Sequence, residues 1–244
     1  MIKKIAFEND LGLKLKGNLH LNNESKKIVI LLHGFGGTKE GIPRIISNYL
    51  SDCYNSFRFD FTGNGASQGD RIISGTFSQA ISDVKSAIDF LERLGFKEFV
   101  LVGHSMGGAV AICSEEKRAS AVIAIATPCH TKQFPIDILG KELFEKLKQL
   151  KEIEIYLGFE KIKLTLDFFL DAMQYDVIES SKKVKKLLLI HGTEDEKVPF
   201  RHAKKIQLAS GCDLISIPGA THNFLGEAMD KLLVALKNWL LRNF

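Results

Sequence analysis

Residues 99–108 read Phe99-Val100-Leu101-Val102-Gly103-His104-Ser105-Met106-Gly107-Gly108, and Ala109-Val110-Ala111-Ile112 follow. The apolar run before Gly103 has the length and β-branched content of a buried strand, and the run after Gly107 suits a helix. A serine between them fits a sharp strand-to-helix turn that lifts its hydroxyl out of the fold as a nucleophile. Gly103 and Gly107 belong there for a steric reason, because a side chain at either position would collide with the adjoining strand or helix. A Gly-x-Ser-x-Gly match is weak alone, and here the flanks on both sides carry it.

A nucleophilic serine needs a base and an acid that orients the base, and with such a turn these follow in the order acid, then histidine, each just beyond a later strand. Residues 186–190 (Lys186-Leu187-Leu188-Leu189-Ile190) read as a buried strand running into His191-Gly192-Thr193-Glu194-Asp195-Glu196-Lys197-Val198-Pro199. Asp195 is the expected acid, with Glu194 and Glu196 as competitors, since a strand-end loop aims one side chain inward and leaves its neighbours in solvent. The next strand, 213–217, ends in Pro218-Gly219-Ala220-Thr221-His222-Asn223-Phe224, which makes His222 the expected base.

Acyl transfer also needs N–H groups aimed at the oxyanion. One is expected from Met106, directly after the nucleophile. The second is expected from Phe35, because strand 27–32 runs into His33-Gly34-Phe35-Gly36-Gly37 at the place where that donor belongs. A glycine-rich loop can instead cradle a phosphate, but this spacing fits neither Gly-x-Gly-x-x-Gly nor a P-loop. Residues 60–69 (Asp60 to Gly69) fail the same test and read as a packed turn bordering the site.

The remaining histidines have plainer readings. His20 ends an amphipathic strand, His202 lies on a predicted helix as a solvated or hydrogen-bonded residue, His104 points away from the neighbouring hydroxyl and His191 precedes a glycine at a strand end. Cys129-His130 could be read as a thiol–imidazole dyad, but adjacent residues on an extended chain face opposite ways. Cys53, Cys113, Cys129 and Cys212 show no metal-ligand spacing, so neither metal nor cofactor is expected.

At 244 residues the chain suits one domain. Its net charge of +4 comes from 33 basic and 29 acidic residues mixed along the sequence, which suggests neither a nucleic-acid stripe nor a polybasic membrane patch. No apolar stretch has spanning length, and the early Glu8 leaves no signal core, so a cytoplasmic protein with reduced thiols is expected. A homodimer is compatible with this.

Strands are expected at 3–7, 13–20, 27–32, 54–59, 98–102, 121–126, 186–190 and 213–217, and helices at 39–50, 77–94, 107–117, 200–209 and 227–241. Asn9-Asp10-Leu11-Gly12 makes the first pair an antiparallel hairpin, and the later alternation implies parallel crossovers with catalytic groups at the strands' C-terminal ends. One crossover, between Thr127 and Lys185, is far longer than a helix needs and should form a cap. Within it a helix over 139–150, a hairpin of 152–157 and 161–166 about Gly158, and a short helix over 167–173 are expected. Its aromatics Phe134, Phe144, Tyr156, Phe159, Phe168, Phe169 and Tyr175 serve either a pocket or the core of a small lid. Phe134, Phe168 and Asp137 are the candidate substrate contacts.

Through the 33–37 loop, the 60–69 turn, the 103–108 turn, the Asp195 loop and the His222 loop, the chain resembles the α/β-hydrolase superfamily over nearly its full length. Within it the chain looks like bacterial cinnamoyl and feruloyl esterases and acylglycerol-lipase-like hydrolases. That resemblance implies an α/β-hydrolase fold, an eight-stranded mostly parallel sheet with helices on both faces, in a core of 1–127 and 186–244 with a cap of 128–185. It also implies a serine carboxylic-ester hydrolase acting through an acyl-enzyme on small aryl or short-chain acyl esters. Monoacylglycerol lipase, thioesterase and serine peptidase chemistry share the same triad. An intact Ser105, Asp195 and His222 set argues against a non-catalytic binding protein, and Ser105 excludes a dehalogenase, which needs an acid at the turn.

Overall fold

The computed structural model describes residues 1–157 and 160–244, with the side chains at 133, 134, 137, 138, 157 and 160 also outside the description. In chain order the elements are β1 (Ile2–Glu8), β2 (Lys14–His20), β3 (Lys27–Leu32), α1 (Ile42–Tyr49), β4 (Asn55–Phe59), α2 (Phe77–Arg93), β5 (Glu98–His104), α3 (Met106–Cys113) and β6 (Ala119–Ile125). There follow α4 (Phe134–Leu150), β7 (Glu152–Leu157), β8 (Glu160–Thr165), α5 (Leu166–Ala172), α6 (Val177–Ser181), β9 (Leu187–Gly192), α7 (Arg201–Ser210), β10 (Asp213–Ile217) and α8 (Glu227–Asn243).

Eight strands form one sheet in the order β1-β2-β4-β3-β5-β6-β9-β10. β1 pairs with β2 and β2 with β4 in antiparallel fashion, and every pair from β4 to β10 is parallel. The parallel strands are apolar on both faces because helices cover both. Successive residues therefore serve opposite cores. Ile28, Ile30 and Leu32 pack with α2, α3 and α7, while Val29 and Leu31 pack with α1 and α8.

The chain leaves β3 for β4 on one side and continues to β5 on the other, so β3 and β5 are neighbours whose following segments diverge. Such a reversal opens a crevice at the strands' C-terminal ends, where ligands bind in open α/β sheets. The loop after β3 and Ser105 after β5 meet there.

Two helices are shorter than expected. α1 starts at Ile42, behind Gly41 and with Pro43 in its first turn, because the Lys39 backbone N–H and ammonium are both committed to Asp60, at 2.7 and 2.5 Å. α3 ends at Cys113 because Glu115 takes a left-handed conformation with φ 46°. The expected helix over 139–150 is the second part of α4, which breaks at Gly140 with φ 74°.

Between β6 and β9, β7 and β8 form a separate antiparallel pair held by Glu154–Lys161 and Glu152–Lys163 ion pairs, both at 2.7 Å. A third apolar cluster joins Phe144 and Leu147 of α4, Leu164 of β8 and Phe168 and Phe169 of α5, and Phe35 packs against it. Tyr175 is tied to α2 through Ser78 Oγ at 2.7 Å and its ring contact with Phe77. No described helix is long and apolar enough to cross a membrane.

Candidate active site

Ser105 is the pivot between β5 and α3, with φ 55° and ψ −120°. A non-glycine residue held there is strained, and the surroundings impose it. A Cβ on Gly103 would lie 2.2 Å from the Gly107 carbonyl, and one on Gly107 would lie 2.5 Å from that of His33. Only glycine allows α3 to start this close to β3 and β5. The Ser105 N–H donates to the Ile125 carbonyl at 2.8 Å, and the Ser105 carbonyl accepts from Gly108 at 3.0 Å.

Asp195 sits in the loop after β9 with its carboxylate fully buried. Oδ1 accepts from the Lys197 and Val198 N–H groups at 3.0 and 2.8 Å, and Oδ2 lies 2.8 Å from His222 Nδ1. Burial alone would push this carboxyl up. The hydrogen bonds from His191, His222 and Val198 outweigh that and hold it well below the usual carboxylate range. Glu194 and Glu196 are exposed. Because His222 Nδ1 faces a carboxylate it carries the proton, which leaves Nε2 with a lone pair.

Ser105, His222, Phe35 and Met106 all line one cavity of about 840 Å³. Ile155 and Tyr156 of β7 and Lys197, Val198 and Pro199 of the Asp195 loop also line it. The Phe35 loop passes directly over the serine, since a Cβ on Gly34 would lie 3.1 Å from Ser105 Cβ. His33 braces that loop from behind, accepting the Phe61 N–H through Nε2 at 3.1 Å and donating from Nδ1 to the Gly34 carbonyl at 2.8 Å. Burial pushes the His33 imidazole down to about 4, so it stays neutral in these roles.

The 60–69 turn supports the site from outside the cavity. Asp60 is buried, ion-paired with Lys39 at 2.5 Å and bonded to the Ala66 N–H at 2.9 Å, so the turn and the start of α1 are locked together.

Of the expected substrate contacts, Phe168 is not among the residues that line the cavity. It is 3 % exposed within the third apolar cluster, its ring 5.6 Å from Phe35 and 5.3 Å from Phe169, behind the cavity wall rather than on it. A small apolar cluster with little other material uses its aromatics as core. The side chains of Phe134 and Asp137, and the whole of Phe159, lie outside the described residues.

Three histidines read plainly in the sequence have buried partners. His104 Nε2 bonds the His222 carbonyl at 3.0 Å, and burial, followed by the nearby His222, pushes His104 down to about 4. His191 Nε2 is 3.3 Å from Asp195 Oδ2. His202 is buried, its Nδ1 accepting from the Cys129 N–H at 3.2 Å with Cys129 Sγ at 3.3 Å, so the imidazole of His202 is a partner of this cysteine. For His191 the available signal was its spacing of four residues before the acid on a turn-rich loop. For His104 and His202 the partners are far along the chain and leave no local signal. Among the described residues no group of three or more His, Cys, Asp or Glu converges as a metal site.

Residues 23–158, more than half of the chain, match the model of the family described as serine aminopeptidase, S33. The chain is 24% identical over 248 residues to the uncharacterized hydrolase YugF of Bacillus subtilis, covering 88% of this chain and 89% of that protein. It is 33% identical to human monoglyceride lipase over 98 residues, a match spanning 38% of this chain and 31% of the lipase. Among solved structures, Est1E from Butyrivibrio proteoclasticus with ferulic acid bound superposes with a TM-score of 0.82 at 22% identity, covering 98% of both chains, which shows the shared fold. A strained serine turn between strand and helix in an α/β-hydrolase sheet and a family match that spans it lead to one conclusion: the chain belongs to the serine aminopeptidase family of serine hydrolases.

Proposed function

We propose that this serine hydrolase cleaves carboxylic esters through an acyl-enzyme, with Ser105, His222 and Asp195 as its triad, acting on small aryl or short-chain acyl esters. The observation that carries the reading is the Ser105 turn opening into the same cavity as a histidine whose Nδ1–H is held by a buried carboxylate at 2.8 Å.

His222 Nε2 takes the proton as Ser105 Oγ attacks the ester carbonyl, and the Phe35 and Met106 N–H groups receive the oxyanion. The same nitrogen returns the proton to the departing alcohol, and water then cleaves the acyl-enzyme. Asp195 holds the imidazole in the required tautomer. Residues 1–127 and 186–244 form the hydrolase core in this reading, and 128–185 an inserted cap whose β7 edge meets the acyl side of the cavity. The likeness to a structure holding ferulic acid and the cavity's Phe35 and Phe77 wall support the aryl preference. The family also includes peptidases, and an amide substrate adds the demand of protonating a poor leaving amine. We place the protein in the cytoplasm.

The test is covalent labelling by a fluorophosphonate probe, followed by peptide mapping. Modification at Ser105, absent in Ser105→Ala together with a loss of turnover on the order of a millionfold, is the expected result. Near-normal hydrolysis by purified Ser105→Ala would show that another group is the nucleophile.

A further inference from the structure

Asp195 Oδ2 is shared by two imidazoles. His222 Nδ1 lies 2.8 Å away and His191 Nε2 3.3 Å away, and both side chains are buried. The same His191 nitrogen is 2.7 Å from the Val198 carbonyl. A ring nitrogen that faces two oxygen acceptors carries a proton, so His191 donates to the Val198 carbonyl, and the same N–H lies beside Asp195 Oδ2. The carboxylate thus receives three N–H groups, from Lys197, Val198 and His222, with the His191 N–H as a fourth neighbour at 3.3 Å. Val198 closes the loop, giving its N–H to Asp195 Oδ1 and accepting His191 at its carbonyl.

We infer that His191 is a positioning residue for the triad: its single N–H, divided between Asp195 Oδ2 and the Val198 carbonyl, fixes the rotation of the carboxylate and ties it to the 196–199 loop that walls the cavity. The inference rests on the proposed triad. Without this donor the plane of the carboxylate is set on the Oδ2 side by His222 alone, and His222 then loses the fixed partner that sets its ring orientation in the cavity it shares with Ser105. A displacement of about 1 Å in a reacting group is enough to cost on the order of a hundredfold in rate. The Val198 carbonyl is orphaned at the same time, which loosens the wall formed by Lys197, Val198 and Pro199.

A brace that served stability alone would lower the melting temperature and leave catalysis in the folded fraction unchanged. A positioning residue also alters the pH profile, because one donor fewer on Oδ2 leaves more negative charge facing His222 and stabilises its imidazolium. The titratable groups packed around His222 are Asp195 and His191 from the β9 end and His104 from β5, while Glu196, Lys197 and Arg201 share its cavity.

The experiment compares His191→Leu, His191→Asn and His191→Gln with the parent protein, using p-nitrophenyl butyrate as probe over pH 5 to 9 and thermal denaturation alongside. Leucine keeps the volume without a donor, the asparagine amide stops short, and the glutamine amide reaches. The expected result is a fall in kcat of about ten- to hundredfold for the folded leucine or asparagine variant with KM changed by less than about threefold. The acid limb of its profile should move up by about half a pH unit or more, and glutamine should recover kcat to within about fivefold of the parent. Unchanged kcat and an unmoved acid limb in either folded variant would overturn the inference, as would a loss that glutamine does not repair. Ser105→Ala is run in parallel: if it retains turnover the triad itself is misassigned, a failure separate from that of His191.

Discussion

His104 Nε2 donates to the backbone carbonyl of His222 at 3.0 Å, and the two rings lie 4.9 Å apart. The residue before the proposed nucleophile therefore holds the loop that carries the proposed base. His104→Leu removes the donor and leaves a buried carbonyl unpaired, an expected loss of about 1–3 kcal/mol. We expect kcat to fall at least about tenfold, since the His222 loop loses its anchor. Chemical denaturation and steady-state kinetics on the purified variant check both, and unchanged kinetics would remove His104 from the positioning of His222.

Asp195→Asn should leave the fold intact and lower kcat by roughly four orders of magnitude, because an amide at that position favours the wrong imidazole tautomer. Glu194→Gln and Glu196→Gln, both at exposed side chains, should change kcat by less than about threefold. A damaging Glu194→Gln would move the acid to that residue.

Stability should rise with pH across the range from about 4 to 6.5. His33, His104 and His202 are buried and each is pushed down to about 4 by burial, from an ordinary value of 6.5. Between those values the unfolded chain binds protons that the folded one refuses, so folding is progressively penalised as pH falls through that window. Each group contributes on the order of 3 kcal/mol at most. Asp195, held low, adds its own loss only below its ordinary value of 3.8. Asp83, raised by burial, works the other way just above that value. Urea unfolding midpoints at pH 4, 5, 6 and 7 measure the sum, and a flat profile would count against neutral buried imidazoles.

Selectivity among esters should peak at short or aryl acyl groups. A compact lid, as proposed for 128–185, covers few methylenes, and each one buried is worth only about 0.8 kcal/mol. The measurement is kcat/KM for acetyl, butyryl, octanoyl, palmitoyl, methyl cinnamate and methyl ferulate esters, with a variant shortened between β6 and β9 beside the intact protein. A rise continuing to palmitoyl would make the protein a lipase, and matching profiles in the two proteins would remove this segment from substrate choice.

The parts of the fold legible in the sequence are those encoded by neighbours. Residues Lys27–Leu32 are an apolar run because helices cover both faces of β3, and the Gly103-to-Gly108 turn shows itself because its glycines are demanded within a few residues of Ser105. The antiparallel pairing of β2 with β4 has no such local mark, since it matches Gly17 to Phe59 across the sheet. The start of α1 was misplaced because Lys39 answers to Asp60, a residue twenty-one positions away. For His202 the sequence left solvated and hydrogen-bonded readings open, because its partner, Cys129, is seventy-three positions distant. For Phe168 aromatic content alone does not separate a cavity wall from the core behind it.

Phe35 belongs to two bodies at once: its backbone lies in the loop over Ser105, while its ring rests 5.6 Å from Phe168 in the apolar cluster of α4, β8 and α5. With Phe35 N–H as an oxyanion donor, the segment over the cavity and the chemistry beneath it share a single mechanical joint. A ligand that shifts α5 would turn the donor as it does so. Substrate fit would then be felt in the rate of bond breaking as much as in binding, and substitutions in this distant cluster would appear in kcat.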